Sequence, residues 1–235
     1  MIGNSTTKEG ISIIIPLLNE ECFVERCIAV LNRHIQEKTT EVIFVDGGST
    51  DQSLALLASS PYRLIKSDAG RAVQMNRGAK EARNSILYFL HIDSIPPIGF
   101  DRIIKEEVAK GRTAGCFQMR FDQQHWALQL AGYFTQFNFP ICRGGDQSLF
   151  IQKQRFQQMK GYNEYYTIYE DNEFTNRLYR QGTFKVLSPI LISSARRFEQ
   201  NGVLYTQLIH GIIHFLRLLG VSPSRLQCFY RQYIH

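Results

Sequence analysis

The chain has 235 residues, of which 44% are hydrophobic, 20% charged and 12% aromatic, a composition that excludes disordered and collagen-like proteins. Its formal net charge is +6, and the basic excess lies in the second half of the chain, which favours an anionic partner such as a phosphate or a membrane surface. Nucleic acid is not expected, because no run of basic and aromatic residues and no zinc-finger or RNA-recognition motif is present.

The cysteines and the amino-terminal residues bear on where the protein works. The five cysteines include no Cys-x-x-Cys pair, so we expect reduced thiols rather than zinc ligands or disulfides. The first ten residues are polar and show no signal-peptide pattern. Together with the length, these features predict a single cytoplasmic domain.

Strand and helix patterns alternate through the first hundred residues. Short apolar runs predict strands at residues 11–16, 41–46, 62–66 and 86–90. Helical periodicity predicts helices at 19–31, from near residue 51, and at 71–83. This alternation predicts an α/β fold whose mostly parallel central sheet is flanked by helices, with ligands bound beyond the carboxyl ends of the strands.

The second half of the chain has a less regular pattern, which predicts a mixed architecture. Helices are predicted near 101–110, 125–137, 171–180 and 203–219. Strands are predicted at 114–121, 148–151, 183–187 and 190–195.

The loop that follows the second strand is a candidate nucleotide site. Asp46 can reach a ribose or base, while Gly47 and Gly48 let a ligand approach the backbone. The alternative is structural: Ser49 or Thr50 caps the next helix, and the acid that follows them favours its dipole. A dinucleotide site of the Rossmann type is excluded, because no Gly-x-Gly-x-x-Gly follows any of these strands.

Two further loops carry groups suited to phosphate and metal. Asp93, after the fourth strand, can hold Mg²⁺ or Mn²⁺, and His91 can be a ligand or a phosphate donor. Alternatively, Asp93 forms the turn before two prolines and His91 is a satisfied histidine at a strand end. Arg71 begins a helix, where its guanidinium and free backbone N–H groups attract phosphate, unless it is a solvated surface residue.

Three acids open the helix predicted near residue 171. Glu170, Asp171 and Glu173 lie close enough to raise one another's pKa, which would prepare Asp171 to accept a proton; the alternative is a helix-dipole role. Residues 143–147 and 194–197 place charged side chains in two other loops, which either line a sugar or phosphate pocket or are structural.

The last long helix combines a narrow polar stripe with a broad apolar surface. Gln207, His210, His214 and Arg217 recur at spacings that put them on one face. A membrane span is not expected, because polar residues return every turn. The apolar surface is expected to dock on the core or on a second copy of the chain, or to lie on a membrane surface. A metal site at the two histidines is not favoured, because no carboxylate is nearby.

Seven motifs, taken in order, resemble those of family-2 glycosyltransferases with the GT-A fold, and the resemblance runs from Ile11 to Tyr230. They are IIPLLNEE at 14–21, VDGGSTD at 45–51, GRAVQMN at 70–76, LHID at 90–93, GDQ at 145–147, EDNE at 170–173 and SARR at 194–197. The set most resembles a bacterial subgroup found near radical-SAM and selenium-related genes. It implies one domain over 1–235, with a nucleotide-binding half at about 11–100, an acceptor half at about 101–200 and a helical extension at about 201–235.

The resemblance also implies roles for individual residues. It places the nucleotide-sugar at Pro16, Asn19, Glu20, Asp46, Gly48, Arg71, Asn76 and Asp93. It makes Asp171 the catalytic base with Glu170 in reserve, and puts Asp146, Gln147 and Arg196 on the acceptor side. The family's usual Asp-x-Asp metal motif has His91 at its first position here, which leaves His91 and Asp93 to hold Mn²⁺ or Mg²⁺.

The implied reaction moves a sugar from a nucleotide-diphosphate donor to a hydroxyl of a small or lipid-linked acceptor, with inversion. A nucleotidyltransferase is the enzymatic alternative, but it would carry a glycine-rich basic loop after the first strand, where residues 16–20 are neither. A module that binds a nucleotide sugar or a membrane without turnover is the other alternative. The expected location is the cytoplasm, with peripheral attachment to the inner face of the membrane or a homodimer through the last helix.

Overall fold

The computed structural model describes residues 8–144, 146–182 and 184–234. The strands are β1 Lys8–Leu17, β2 Glu41–Asp46, β3 Arg63–Lys66, β4 Asn84–Phe89, β5 Ala114–Phe121, β6 Leu149–Gln152 and β7 Phe184–Ser193. The helices are α1 Glu21–His34, α2 Ser53–Ala58, α3 Arg71–Glu81, α4 Phe100–Ala109, α5 Trp126–Phe134, α6 Lys153–Gln158, α7 Glu170–Tyr179, α8 Arg196–Asn201, α9 Val203–Leu218 and α10 Pro223–Tyr233.

One sheet runs through both halves of the chain, in the strand order β3-β2-β1-β4-β6-β5-β7. Neighbouring strands are parallel except at β6, which is antiparallel to both β4 and β5. The carboxyl ends of the other six strands and the amino end of β6 therefore meet at a single edge, which we call the carboxyl edge.

Helices cover both faces of the sheet and bury it completely at its centre. On one face, α1, α2 and α4 contribute Leu31, Leu57 and Phe100 to a cluster that includes alternate residues of β1 and β2. On the other, α3, α6 and α7 contribute Met75, Phe156 and Phe174. Burial on both faces explains why β1 and β2 are continuous apolar runs rather than alternating ones.

The structure confirms the mixed, mostly parallel α/β fold and most of the predicted elements. The two strands predicted at 183–187 and 190–195 are a single strand, β7, whose register against β5 shifts between Phe117 and Gln118; residue 183 itself lies outside the described residues. The helix predicted at 125–137 ends at Phe134, because the Arg143 guanidinium donates hydrogen bonds to the carbonyl oxygens of Thr135 and Phe137.

Helices α6, α8 and α10 were not predicted. Two of them are only six residues long, and each of the three buries a single side chain: Phe156, Phe198 and Leu226. One buried position leaves no periodic apolar stripe in the sequence.

Helices α9 and α10 form a hairpin at the carboxyl terminus. Ile209, Ile213, Leu226 and Ile234 form its core, which packs against the segment around Ile168, directly before α7. Part of the apolar surface of α9 therefore docks on the protein, as one of the predicted alternatives has it. Within the described ranges, no helix is long and apolar enough to cross a bilayer.

Two helical glycines provide a matched test of how tightly α3 packs on the sheet. A Cβ atom at Gly78 would lie 2.4 Å from Cγ2 of Ile14, a fully buried side chain, whereas a Cβ at Gly211 in α9 meets no atom within 4 Å. Both changes to alanine gain about 1 kcal/mol of helix propensity. We expect Gly211→Ala to raise the free energy of unfolding by up to that amount, and Gly78→Ala to lower it by about 1–3 kcal/mol through overpacking. Urea denaturation of both variants measures the difference, and equal effects would contradict the packing described here.

Candidate active site

The carboxyl edge brings together titratable residues of four separate loops. His91 and Asp93 follow β4, Asp146 precedes β6, and Arg196 follows β7. Arg71 begins α3, which lies over β1 and β2. The strand order thus explains why motifs more than a hundred residues apart in sequence form one site.

Arg71 is the centre of the first of two charge networks. Its Nε lies 2.9 Å from Glu170 Oε1, and its Nη2 pairs with Asp171 Oδ2. The same Nη2 lies 3.5 Å from His91 Nε2. Glu170 is almost completely buried, so its carboxylate holds the guanidinium in a fixed position. This network joins the start of α3 to the start of α7.

Asp171 carries the most perturbed carboxyl group of the network. Burial raises its pKa to about 7, with Glu170 and Asp146 adding to the rise and Arg71 opposing it. Burial also disfavours the charged form of Arg71, but Glu170 and Asp171 outweigh it and raise the Arg71 pKa. A carboxyl group with a pKa near 7 can accept or release a proton at neutral pH, as a general base must.

Arg196 is the centre of the second network. Its Nη1 and Nη2 donate to the two carboxylate oxygens of Glu20 at 2.6 and 2.7 Å, and its Nε lies 3.1 Å from Asp93 Oδ2. The guanidinium also stacks over the Phe23 ring, at 4.3 Å from its centroid. Burial raises the pKa of Asp93 although Arg196 opposes the rise. Arg196 therefore contacts Glu20 and Asp93 of the predicted nucleotide side, and Asp146 of the predicted acceptor side is near enough to raise its pKa.

A small cleft lies beside the Arg71 network and is lined in part by Pro16, His91, Gln147 and Asp171. Asp146 belongs to the same region. Burial works against its ionisation, but the positive charges of Arg197, His91 and Arg71 prevail and lower its pKa. Gly145, the neighbouring member of the predicted acceptor motif, lies outside the described residues.

Asn19 and Asp46 use their side chains to shape the loops after β1 and β2. Asn19 has a left-handed backbone (φ 55°), and its Oδ1 accepts a hydrogen bond from Thr50 N at 2.8 Å. Asp46 accepts from the backbone N–H groups of Gly48 and Ser49, each at 3.0 Å. In this arrangement both side chains fix the conformation of the loops that would receive the nucleotide.

The capping role considered for Ser49 and Thr50 is wrong. Helix α2 begins at Ser53, after Gln52, and neither residue caps it. Ser49 Oγ instead accepts from Asn19 N at 2.9 Å, which fastens the two loops together.

Asn76 departs from its predicted role in nucleotide binding. Its side-chain amide donates to the Tyr162 carbonyl and accepts from the Tyr162 N–H, both at 2.9 Å, and it also donates to Glu164. The side chain therefore braces the loop before α7. Both N–H donors of the Asn76 amide are therefore used, one by Tyr162 and one by Glu164, and neither is left for a nucleotide.

Two functional contributions were missed by the sequence reasoning. Gln74, a buried polar residue on the sheet side of α3, donates from Nε2 to the carbonyls of Leu17 and Val45, each at 2.7 Å. It thereby ties together the ends of β1 and β2. The sequence does hint at this role, because Gln74 is a polar residue of the GRAVQMN motif on the otherwise apolar face of the helix.

The second missed contribution is a contact between α9 and the acidic helix. The Tyr169 hydroxyl lies 3.2 Å from His214 Nδ1, and the two rings pack edge to face. Tyr169 precedes Glu170 and has a left-handed backbone with φ 71°, which costs free energy in a residue that is not glycine. The contact with α9 therefore helps to fix the backbone conformation at the start of α7, and with it the positions of Glu170 and Asp171.

The residues present fit a divalent cation only as a partial shell. In the described part of the chain, no three His, Cys, Asp or Glu side chains are grouped so as to hold a metal ion. Asp93 offers a carboxylate, which suits Mg²⁺ or Mn²⁺ when diphosphate oxygens and water complete the coordination, whereas the imidazole of His91 is a more typical ligand of Zn²⁺, Cu²⁺ or Fe²⁺.

The raised pKa of Asp171 predicts how stability depends on pH. The folded protein keeps the Asp171 proton up to about pH 7, whereas the unfolded chain releases it near its ordinary value of 3.8. Its contribution to the free energy of unfolding therefore falls as pH rises between these values. We expect Asp171→Asn to gain stability relative to the natural protein over this interval, measured by urea denaturation at several pH values. Asp68→Asn controls for the loss of one exposed carboxyl group, and a parallel pH dependence of Asp171→Asn and the natural protein would contradict the assignment.

Comparisons with known proteins agree with this architecture. The curated relative is the succinoglycan biosynthesis protein ExoA of Rhizobium meliloti (strain 1021), which is 25% identical over 205 residues; the match covers 77% of this chain and 62% of the relative. Among solved structures, S. aureus TarS 1-349 in complex with UDP is 17% identical with a TM-score of 0.67, covering 79% of this chain and 60% of that one. The mannosyltransferase PcManGT of Pyrobaculum calidifontis, in complex with GDP-Man and Mn²⁺, is 14% identical with a TM-score of 0.69, covering 97% and 69%.

The structural neighbours establish the GT-A fold, and the sequence establishes the family. Residues 12–188 match the family model described as glycosyl transferase family 2. This range holds the four parallel strands β1–β4 and both networks' carboxylates. The chain belongs to glycosyl transferase family 2.

Proposed function

We propose that this protein transfers a glycosyl group from a nucleotide-diphosphate sugar to an acceptor hydroxyl. The observation that carries the proposal is the pairing of Arg71 with Glu170 and Asp171 at the carboxyl edge, which puts a phosphate-binding cation beside a carboxyl group with a pKa of about 7. Family membership supports it, as do the complexes of structural neighbours with UDP and GDP-Man.

Asp171 is the proposed catalytic base. As the acceptor oxygen bonds to the anomeric carbon, Asp171 takes the hydroxyl proton, and the bond between that carbon and the diphosphate breaks to release the nucleoside diphosphate. Glu170 is too buried to meet the acceptor and serves to hold Arg71. A single displacement with one base inverts the anomeric configuration.

Arg71 and the amino terminus of α3 are the proposed site for the leaving diphosphate. The guanidinium and the N–H groups of the first helical turn offer positive charge at the place where negative charge develops. A cation held by Asp93 and His91 would supply further charge for the diphosphate. As Arg71 turns toward the diphosphate, its hold on Asp171 weakens, which makes that carboxylate more basic.

The loops after β1 and β2 are the proposed nucleotide side. Gly48 has a positive φ of 99°, and a Cβ there would meet no atom within 4 Å, so its backbone faces open space that a nucleotide could occupy. Pro16 lines the cleft, Asn19 and Asp46 fix the loops, and Glu20 positions Arg196. Asp146 and Gln147, across the cleft, remain the proposed acceptor side.

The cytoplasm is the proposed location. Cys22, Cys27, Cys116, Cys142 and Cys228 are all free thiols. Free cysteines are typical of reducing compartments. Peripheral attachment to a membrane would use the exposed apolar side chains of α5 and α9 rather than the carboxyl edge.

Substitution of Asp171 tests the proposed base. We expect Asp171→Asn to lower kcat for release of UDP or GDP from its sugar donor by about 10²–10⁴-fold without weakening nucleotide binding, because Arg71 is freed from one of its two carboxylates. In the natural protein, kcat/KM should rise with pH and level off above about pH 7, as Asp171 loses its proton. Glu173→Gln, in the same helical turn but paired with Arg177, is the matched control. An active Asn variant would remove Asp171 from the mechanism.

Substitution of Asp93 tests the proposed cation. If Asp93 holds the metal, Mn²⁺ should tighten nucleoside diphosphate binding to the natural protein and fail to do so in Asp93→Ala, as measured by calorimetry. Glu106→Ala removes an exposed carboxylate far from the site and should keep the Mn²⁺ effect. Mn²⁺-dependent tightening that survives in Asp93→Ala would place the cation elsewhere.

A further inference from the structure

A cluster of large apolar side chains is exposed on α5 and on the segment that follows it. They are Trp126, Leu130, Tyr133, Phe134, Phe137, Phe139 and Ile141, with exposed fractions from 38% to 87%. The rings of Tyr133, Phe134 and Phe137 contact one another, with centroids 5.7–6.2 Å apart. Exposed apolar patches of this kind mark interaction surfaces.

Helix α9 lies beside α5 and exposes a second set of apolar side chains. Leu128 of α5 and Val203 of α9 belong to one small cluster around Phe198, so the two helices are neighbours. The exposed side chains of α9 are Leu204, Tyr205, Leu208, Phe215 and Leu219. We call the two sets together the α5–α9 apolar surface.

The charged side chains within the two segments that carry this surface are all basic. Neither residues 123–145 nor residues 200–235 contain an aspartate or a glutamate. Arg120, whose Cγ lies near Gly132 of α5, and Arg225 and Arg231 of α10 are all exposed. Asp122 and Glu199 border the two segments but lie outside them.

We propose that the α5–α9 apolar surface docks on an anionic lipid bilayer. Aromatic and aliphatic side chains insert at the boundary between headgroups and acyl chains, and arginines beside them pair with lipid phosphates. A symmetric dimer through the same surface would put arginines opposite one another with no carboxylate to pair with them, because a twofold interface brings a patch onto itself. The charge pattern therefore favours a bilayer over a second copy.

The chain's single tryptophan provides a direct reporter. Trp126 is 65% exposed and lies within the surface, so its fluorescence reports only on this place. On vesicles of phosphatidylglycerol and phosphatidylethanolamine, we expect a blue shift of its emission and quenching by brominated acyl chains. Vesicles of phosphatidylcholine alone should give at least about tenfold weaker binding, because each arginine near an anionic surface contributes about fivefold and several lie beside this surface.

Substitutions distinguish binding through this surface from nonspecific adsorption to vesicles. In flotation with the anionic vesicles, Phe139→Ser combined with Ile141→Ser should bind at least about tenfold more weakly, and so should Arg225→Glu combined with Arg231→Glu. Ile98→Ser, at an equally exposed apolar residue (60%) outside the surface, is the matched control and should bind like the natural protein. Circular dichroism shows that each variant is folded.

Three outcomes would overturn the proposal. One is equal binding of anionic and neutral vesicles with no change in Trp126 emission. Another is unchanged vesicle binding by both double variants. The third is a stable dimer in light scattering that Phe139→Ser with Ile141→Ser dissociates while vesicles have no effect. None of these measurements needs a sugar donor, so the result is independent of the proposed transfer reaction.

Discussion

The site depends on the ion pairs that Arg71 makes with Glu170 and Asp171. These pairs connect residues a hundred positions apart and hold two buried carboxylates beside each other. Without the guanidinium, Glu170 and Asp171 would face mutual repulsion in a poorly solvated place, and the start of α7 would lose its fixed position. The same cation that stabilises the free protein is suited to a diphosphate, so ligand binding and the state of Asp171 are linked.

Backbone and side-chain contacts around the two networks keep them in place. Gln74 ties the ends of β1 and β2 beneath Arg71, Asn76 braces the loop before α7, and His214 contacts the residue that precedes Glu170. These residues belong to two distant helices of the chain, α3 and α9. The site is therefore a product of the whole fold, including the carboxyl-terminal hairpin outside the matched family range.

Helix α9 has two faces with different partners. Its buried face contributes His214 to the contact with Tyr169 and His210 to rings of Phe198 and Tyr230. Its other face is exposed and apolar. The histidines of the polar stripe thus contact the protein beside the buried Ile209 and Ile213, while another part of the apolar surface lies outward.

The sequence was sufficient to predict the fold and the place of the site, but not how each side chain is used. Apolar runs such as residues 11–16 and 86–90 revealed buried strands, and the strand-end rule then located His91, Asp93 and Asp46 at one edge. The roles of Asn19, Asp46 and Asn76 could not be read, because their partners, Thr50, Gly48 and Tyr162, depend on loop conformations that no periodicity encodes. The pairing of Arg196 with Glu20 was hidden for the same reason, since the two lie 176 positions apart.

We infer that the Arg71 network is built to receive a diphosphate. Calorimetric titration of the protein with UDP and with GDP, in the presence of Mn²⁺, checks this inference when it is repeated on Arg71→Met. We expect saturable binding of at least one of the two nucleotides to the natural protein, and at least about tenfold weaker binding to the variant, because a charge-assisted contact is lost. Binding of equal strength in both proteins, or of neither nucleotide to the natural protein, would contradict it.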